Sequence, residues 1–132
     1  REVFLTADIQ FLTSFLELEK VRRDHFEYTI FQEGNMENIC IPPLLFIPFV
    51  ENAVKHNSDS DHLSIRDRYF SVPNKQLTFR CENSKPRVPV KREGGIGLAN
   101  VKRRLDLLYE SRYTLQIEDK ETTYNVNLHL NL

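Results

Sequence analysis

Along the first twenty positions the hydrophobic residues recur at helical spacing. Leu5, Ile9, Leu12 and Leu16 form one stripe, with Phe11, Phe15 and Leu18 beside it, which predicts a helix with a broad buried face starting at Thr6 and Asp8. The charged run 19–24 closes it. The period then drops to two: Phe26, Tyr28 and Ile30 alternate with polar neighbours as in a half-buried strand, and Gly34-Asn35 reads as a turn. Pro42-Pro43 can open a second helix, since proline in the first turn gives up no helical hydrogen bond, and 44–57 has the length and apolar content to continue it. Residues 63–72 and 76–81 read as strands joined across Pro73-Asn74, the second with Leu77, Phe79 and Cys81 on one face. Residues 84–95 hold two prolines, two glycines and five charges without hydrophobic periodicity, and read as a loop. Leu98, Val101, Leu105 and Leu108 mark a third helix, and Tyr113, Leu115, Ile117, then Tyr124, Val126, Leu128 and Leu130, a final hairpin around Asp119-Lys120. Three helices and about five strands imply an α+β fold with the helices on one face of a mostly antiparallel sheet.

At 132 residues the chain fits one domain, and it carries no repeat or low-complexity tract. Its 18 basic and 19 acidic residues leave a net charge of −1, which excludes a global electrostatic attraction to nucleic acid or an anionic membrane. Any preference for anions must be local. Cys40 and Cys81 lie far apart with no CxxC or histidine-bearing spacing, which argues against a metal cluster or a disulfide framework and suits a reducing compartment. The longest apolar stretch, 39–50, contains three prolines and is well short of the ~20 residues of a membrane-spanning helix. The chain opens on Arg1 and has no signal-peptide pattern, as expected of a segment of something longer.

Two stretches carry candidate chemistry. In KREGGIGLANVKRRL, residues 91–105, three of the chain's four glycines precede a helix, and 85–104 holds seven basic residues (Lys85, Arg87, Lys91, Arg92, Lys102, Arg103, Arg104) against one acid, Glu93. Glycines at a helix start let backbone N–H groups approach an anion that the helix dipole also favours; the plain alternative is a turn followed by a charged helix face. In FIPFVENAVKHN, residues 46–57, Glu51, Asn52, Lys55 and His56 share one face of an otherwise apolar helix. That face is either a helix end reaching solvent, with a Glu51–Lys55 pair and Asn57 as C-cap, or a set of hard oxygen donors and a cation suited to Mg²⁺ and phosphate.

PLLFIPFVENAVKH followed some forty residues later by GGIGLANVKRRLDLLY resembles the N box and glycine box of Lyt-type sensor histidine kinases, members of the GHKL ATPase superfamily. LELEKVRRDHFEYTI is similar to the stretch linking their phosphoacceptor region to the ATP-binding domain, so the resemblance spans essentially the whole chain. It implies a two-layer α/β sandwich of the GHKL (Bergerat) type, with residues 1–25 as a linker helix packed on the domain and 26–132 as the ATP-binding domain. It implies a protein histidine kinase that transfers the γ-phosphoryl group of ATP, with Mg²⁺, to a histidine on a separate segment. The fragment alone would then bind nucleotide without phosphorylating itself.

By the same resemblance Asn52 holds Mg²⁺ against the triphosphate, Lys55 meets phosphate, Glu51 is a lesser catalytic candidate and His56 lines the cleft. Gly95, Gly97, Leu98 and Asn100 match the glycine box, whose backbone closes over the phosphates. The family usually has an aspartate followed by glycines where this chain reads CENSKP. Asn83 stands at that place and can accept the adenine amino group through its carbonyl oxygen, without the charge. The segment 84–93 is short for an ATP lid. His25, His62 and His129 read as packed or solvent-facing. Implied partners are the phosphoacceptor segment and a response regulator, with no nucleic acid and no direct membrane contact. The implied setting is the cytoplasmic side of a bacterial inner-membrane receptor. Two alternatives stay open: a degenerate nucleotide-binding or interaction module motivated by Asn83, and a serine kinase or mechanical ATPase on the same fold.

Overall fold

A computed structural model of the chain describes residues 1–56, 62–85 and 96–132. In chain order the elements are β1 (Val3–Phe4), α1 (Leu5–Arg22), β2 (Phe26–Glu33), β3 (Cys40–Ile41), α2 (Ile47–His56), β4 (Leu63–Val72), β5 (Gln76–Ser84), α3 (Ile96–Tyr109), β6 (Tyr113–Asp119) and β7 (Thr123–Asn131). Five strands form one sheet in the order β2-β4-β5-β7-β6. β2 pairs parallel to β4, and every other neighbour is antiparallel. Alternation along the strands fixes which face is covered: Leu77, Phe79 and Cys81 of β5 and Tyr124, Val126, Leu128 and Leu130 of β7, as the sequence pattern predicts, and Leu63, Ile65 and Tyr69 of β4 point into a single core. The helices supply its other side through Leu5, Ile9, Leu12 and Leu16 of α1, Phe49, Val50 and Ala53 of α2, and Val101, Leu105 and Tyr109 of α3. Residues 1–25 and 26–132 share this one core. At its centre Phe46, Tyr69 and Phe79 pack ring against ring at 4.8–5.3 Å between centroids, an arrangement that adds to burial.

Several local readings change. The first α1 stripe is buried and Phe15 of the second packs half-buried against the core, whereas Phe11 and Leu18 are 53% and 65% exposed. Asp8 does not cap that helix. The chain enters α1 at Leu5, whose N–H is satisfied by the carbonyl of Ile39 at 2.8 Å beside the short β1–β3 ribbon, which the sequence pattern did not announce. The second helix begins at Ile47 rather than 44, and Pro48, not Pro42-Pro43, is its first-turn proline. Leu44 adopts a left-handed conformation, φ +59°, which no helix can run through. In α3 the inward position falls on Tyr109, four residues after Leu105, while Leu108 is 39% exposed. β5 extends to Ser84, placing Asn83 inside a strand rather than at the start of a loop.

Candidate functional site

α2 buries Phe49, Val50 and Ala53 and leaves Glu51 and Lys55 exposed, with Asn52 half-buried between them. Among the described residues Glu51 and Lys55 form no ion pair, so the polar face is not explained by one. His56 ends the helix; Asn57 lies outside the described residues. α2 packs against α3 and against β4 and β5, so the helix that carries Asn52 touches both the helix that carries Gly97 and the strand that carries Asn83.

Asn83 is 2% exposed and shares the helix-facing side of β5 with Phe79 and Cys81. Its amide donates to the carbonyl of Ser84 at 2.9 Å, while its Oδ1 meets no donor. A buried acceptor without a partner costs about 1–3 kcal/mol. Diagonally across the ladder sits Asp67 of β4, fully buried and opposite Cys81. Burial pushes its carboxyl up to about 7; the Cys81 thiol pulls weakly the other way without completing a hydrogen bond to either oxygen. The Tyr69 hydroxyl, two residues further along β4, is also unpartnered, and burial, then the charge of Asp67, raises it well above the ordinary phenol range. Asp67 escaped the sequence reading. Its signal was an acid at an inward position of the alternation Leu63, Ile65, Asp67, Tyr69.

α3 opens at Ile96 with Gly97 as its second residue, and no acidic side chain in its first turn opposes the positive end of its dipole. Leu98 is half-buried and Asn100 exposed; Gly95 lies outside the described residues, as do Arg87, Lys91 and Arg92. The basic run is less uniform than its composition suggests. Lys85 pairs with Asp119 at 2.6 Å and donates to the carbonyl of Lys120, and Arg104 is committed to the carbonyls of Pro43 and Leu44. Lys102 and Arg103 face solvent. His129 meets the Thr78 hydroxyl at 2.9 Å on the opposite face of the sheet, a packed role. A groove of about 330 Å³ on that open face is lined by Arg68, Arg80, Glu82 and Asn127 among others, away from α2 and α3. Among the described residues no group of three His, Cys, Asp or Glu side chains could hold a metal ion. Both cysteines are free, and no described helix is long and apolar enough to cross a membrane.

No family model matches the chain. Over 97% of its length it is 26% identical to the sensor protein LytS of Staphylococcus haemolyticus, and it spans about a quarter (24%) of that relative. Among solved structures, the nucleotide-free catalytic domain of the histidine kinase ThkA superposes with a TM-score of 0.73 at 16% identity, covering 98% of this chain and 95% of that one. The fold is that of a histidine-kinase catalytic domain. The same catalytic-domain architecture recurs in the Acinetobacter baumannii histidine kinase AdeS, with a TM-score of 0.70 at 13% identity over 99% of this chain and 66% of that one. A crystal structure of ThkA in complex with the response regulator TrrA superposes at 0.64 and 16% identity, over 98% of this chain and 41% of that one. At such identities these structures speak to the catalytic-domain fold, and the LytS similarity extends along the same residues.

Proposed function

We propose that the chain is the ATP-binding catalytic domain of a Lyt-type sensor histidine kinase, donating the γ-phosphoryl group to a histidine on a segment outside it and serving a response regulator. The observation that carries this reading is the buried, unpartnered Oδ1 of Asn83 on the helix-facing side of β5. An exocyclic amino group such as that of adenine supplies the missing donor. Asn52, half-buried on the adjoining helix, offers a hard oxygen of the kind Mg²⁺ accepts, and Lys55 a compact positive charge for phosphate. The backbone N–H groups at the start of α3, those of Gly97, Leu98 and Asn100, would meet the phosphates with the helix dipole behind them, and by the resemblance Gly95 belongs to the same box. Bound Mg²⁺ would supply charge neutralisation on the phosphate oxygens. The protein's own share is placement of the triphosphate and stabilisation of its charge, which is most of what phosphoryl transfer demands. Glu51, exposed beside Asn52, is the candidate to orient the acceptor, and the resemblance assigns His56 to the cleft.

Calorimetry with ATP and Mg²⁺ tests this. Binding heat and a matching thermal shift are expected, the stabilisation reaching about 2.7 kcal/mol at a hundred times Kd; neither signal at millimolar nucleotide would refute it. A second reading, a module that has lost useful nucleotide affinity, is favoured by one feature alone: position 83 holds a neutral amide where the family places a carboxylate. Asn83→Asp separates the two. A large gain in binding from a silent wild type would establish the second.

A further inference from the structure

The approach to α2 is gripped from two sides. Asp8 on α1, only 7% exposed, accepts the backbone N–H of Leu44 at 3.1 Å. Arg104 on α3 donates to the carbonyl of Pro43 at 2.7 Å and to that of Leu44 at 3.3 Å. Leu44 is held at φ +59°, a strained conformation for a residue with a Cβ, which persists only where the surroundings over-determine it. Three hydrogen bonds from two other elements do so here. The two grips also feel each other: burial raises the Asp8 carboxyl, and the Leu44 N–H and the charge of Arg104 offset that rise.

The clamp lies where it can set the cleft. Ile47 follows Leu44 by three residues, and Asn52 sits on the helix that begins there; Arg104 sits on the helix whose second residue is Gly97. Arg104 therefore joins the lead into one candidate ligand-bearing helix to the body of the other, and Asp8 fixes that junction to α1. Both helices are stiff rods with 1.5 Å of rise per residue, so a shift at the junction is carried to Asn52 and to the start of α3. In the sequence alone Arg104 is one cation of a basic run and Asp8 a helix start; only the fold brings them to the same peptide.

We propose that Arg104 and Asp8 are positioning residues for nucleotide binding: acting through the strained Leu44 peptide, they fix the spacing between Asn52 and the glycine end of α3. The inference rests on the nucleotide-binding reading above. Arg104→Gln, Asp8→Asn and the double variant are titrated with ATP and Mg²⁺ by calorimetry at a temperature where unfolding curves show each fully folded. Val126→Ala, in the core on β7 and away from the clamp, serves as a destabilised control. Each single variant is expected to raise Kd at least about fivefold, the lower end of ordinary inter-site coupling. The double variant should fall short of the product of the two, since they act on one peptide. Arg104→Lys should recover part of the affinity, and Val126→Ala should leave Kd within about twofold.

Wild-type affinity in Arg104→Gln overturns the inference, and so does an equal loss in Val126→Ala, which would reduce the effect to stability. A second readout needs no nucleotide. In ¹H–¹⁵N spectra of the free protein, Arg104→Gln should displace the amide resonances of Asn52 and Leu98. If they stay in place the inference fails, whereas a wild type that binds no ATP while they move sinks only the nucleotide-binding reading.

Discussion

At the scale of single residues, the chemistry of Asp67 departs far from its ordinary state. Its folded pKa of about 7 lies above the ~3.9 of an exposed aspartate, because burial disfavours the anion and no cation compensates. Between about pH 4 and pH 7 the native state thus holds a proton that the unfolded chain has released. The stability contributed by that protonated carboxyl is complete below the unfolded pKa and is lost as pH rises through the folded one. Asp67→Asn is expected to remove this dependence: measured by urea unfolding at about pH 5 and about pH 8, the variant should gain on wild type by up to ~1.4 kcal/mol per pH unit across the window. A constant difference at both pH values would contradict the assignment. The polar face of α2 was legible in the sequence because Glu51, Asn52, Lys55 and His56 interrupt an apolar run. Asp67 was not, because SIRDRYF carries charges on both faces, and one inward acid looks like its outward neighbours Arg66 and Arg68.

Elements were read well where periodicity decided them and poorly where a tertiary bond did. The alternation of β5 and β7 and the helical spacing of Leu5, Ile9, Leu12 and Leu16 in α1 appear in the structure as read, because burial on one face is the force that creates both patterns. The start of α2 moved because the clamp between α1 and α3 holds Leu44 left-handed, something no local pattern around Pro42-Pro43 encodes. The turn after β2 is a case where the residue itself speaks. Gly34 has φ +91°, and a Cβ there would lie 2.0 Å from the carbonyl oxygen of Ser71 on β4. Gly34→Ala is therefore expected to destabilise the protein by more than about 1 kcal/mol, read as a lower midpoint in urea at unchanged slope. A change too small to measure would mean that this turn can relocate at no cost.

For the molecule as a whole, the fold class was legible and the strand order was not. Three helices against one face follow from composition and period, but nothing in the residues of β2 says that it pairs parallel with β4 rather than beside β6 at the other edge. Pairing is settled by which arrangement buries the helices' apolar stripes, a global condition. The order of connections has a kinetic consequence. β4–β5 and β6–β7 are hairpins joined by short turns, whereas β2–β4 and β5–β7 can zip only after a long excursion of chain has been laid over the sheet. α2 rides on the first excursion and α3 on the second. Loop closure delays such pairings behind hairpins, so the candidate nucleotide site carried by these helices is completed at the last step of folding. A ligand lodged there would find nothing to grip in the folding transition state. It should leave the refolding rate untouched and slow unfolding instead, a division that stopped-flow measurements with and without ATP and Mg²⁺ would register; equal acceleration of refolding would place completion of the site earlier. Nucleotide bound at this site would then act as a latch, lengthening the lifetime of the finished molecule without hastening its making.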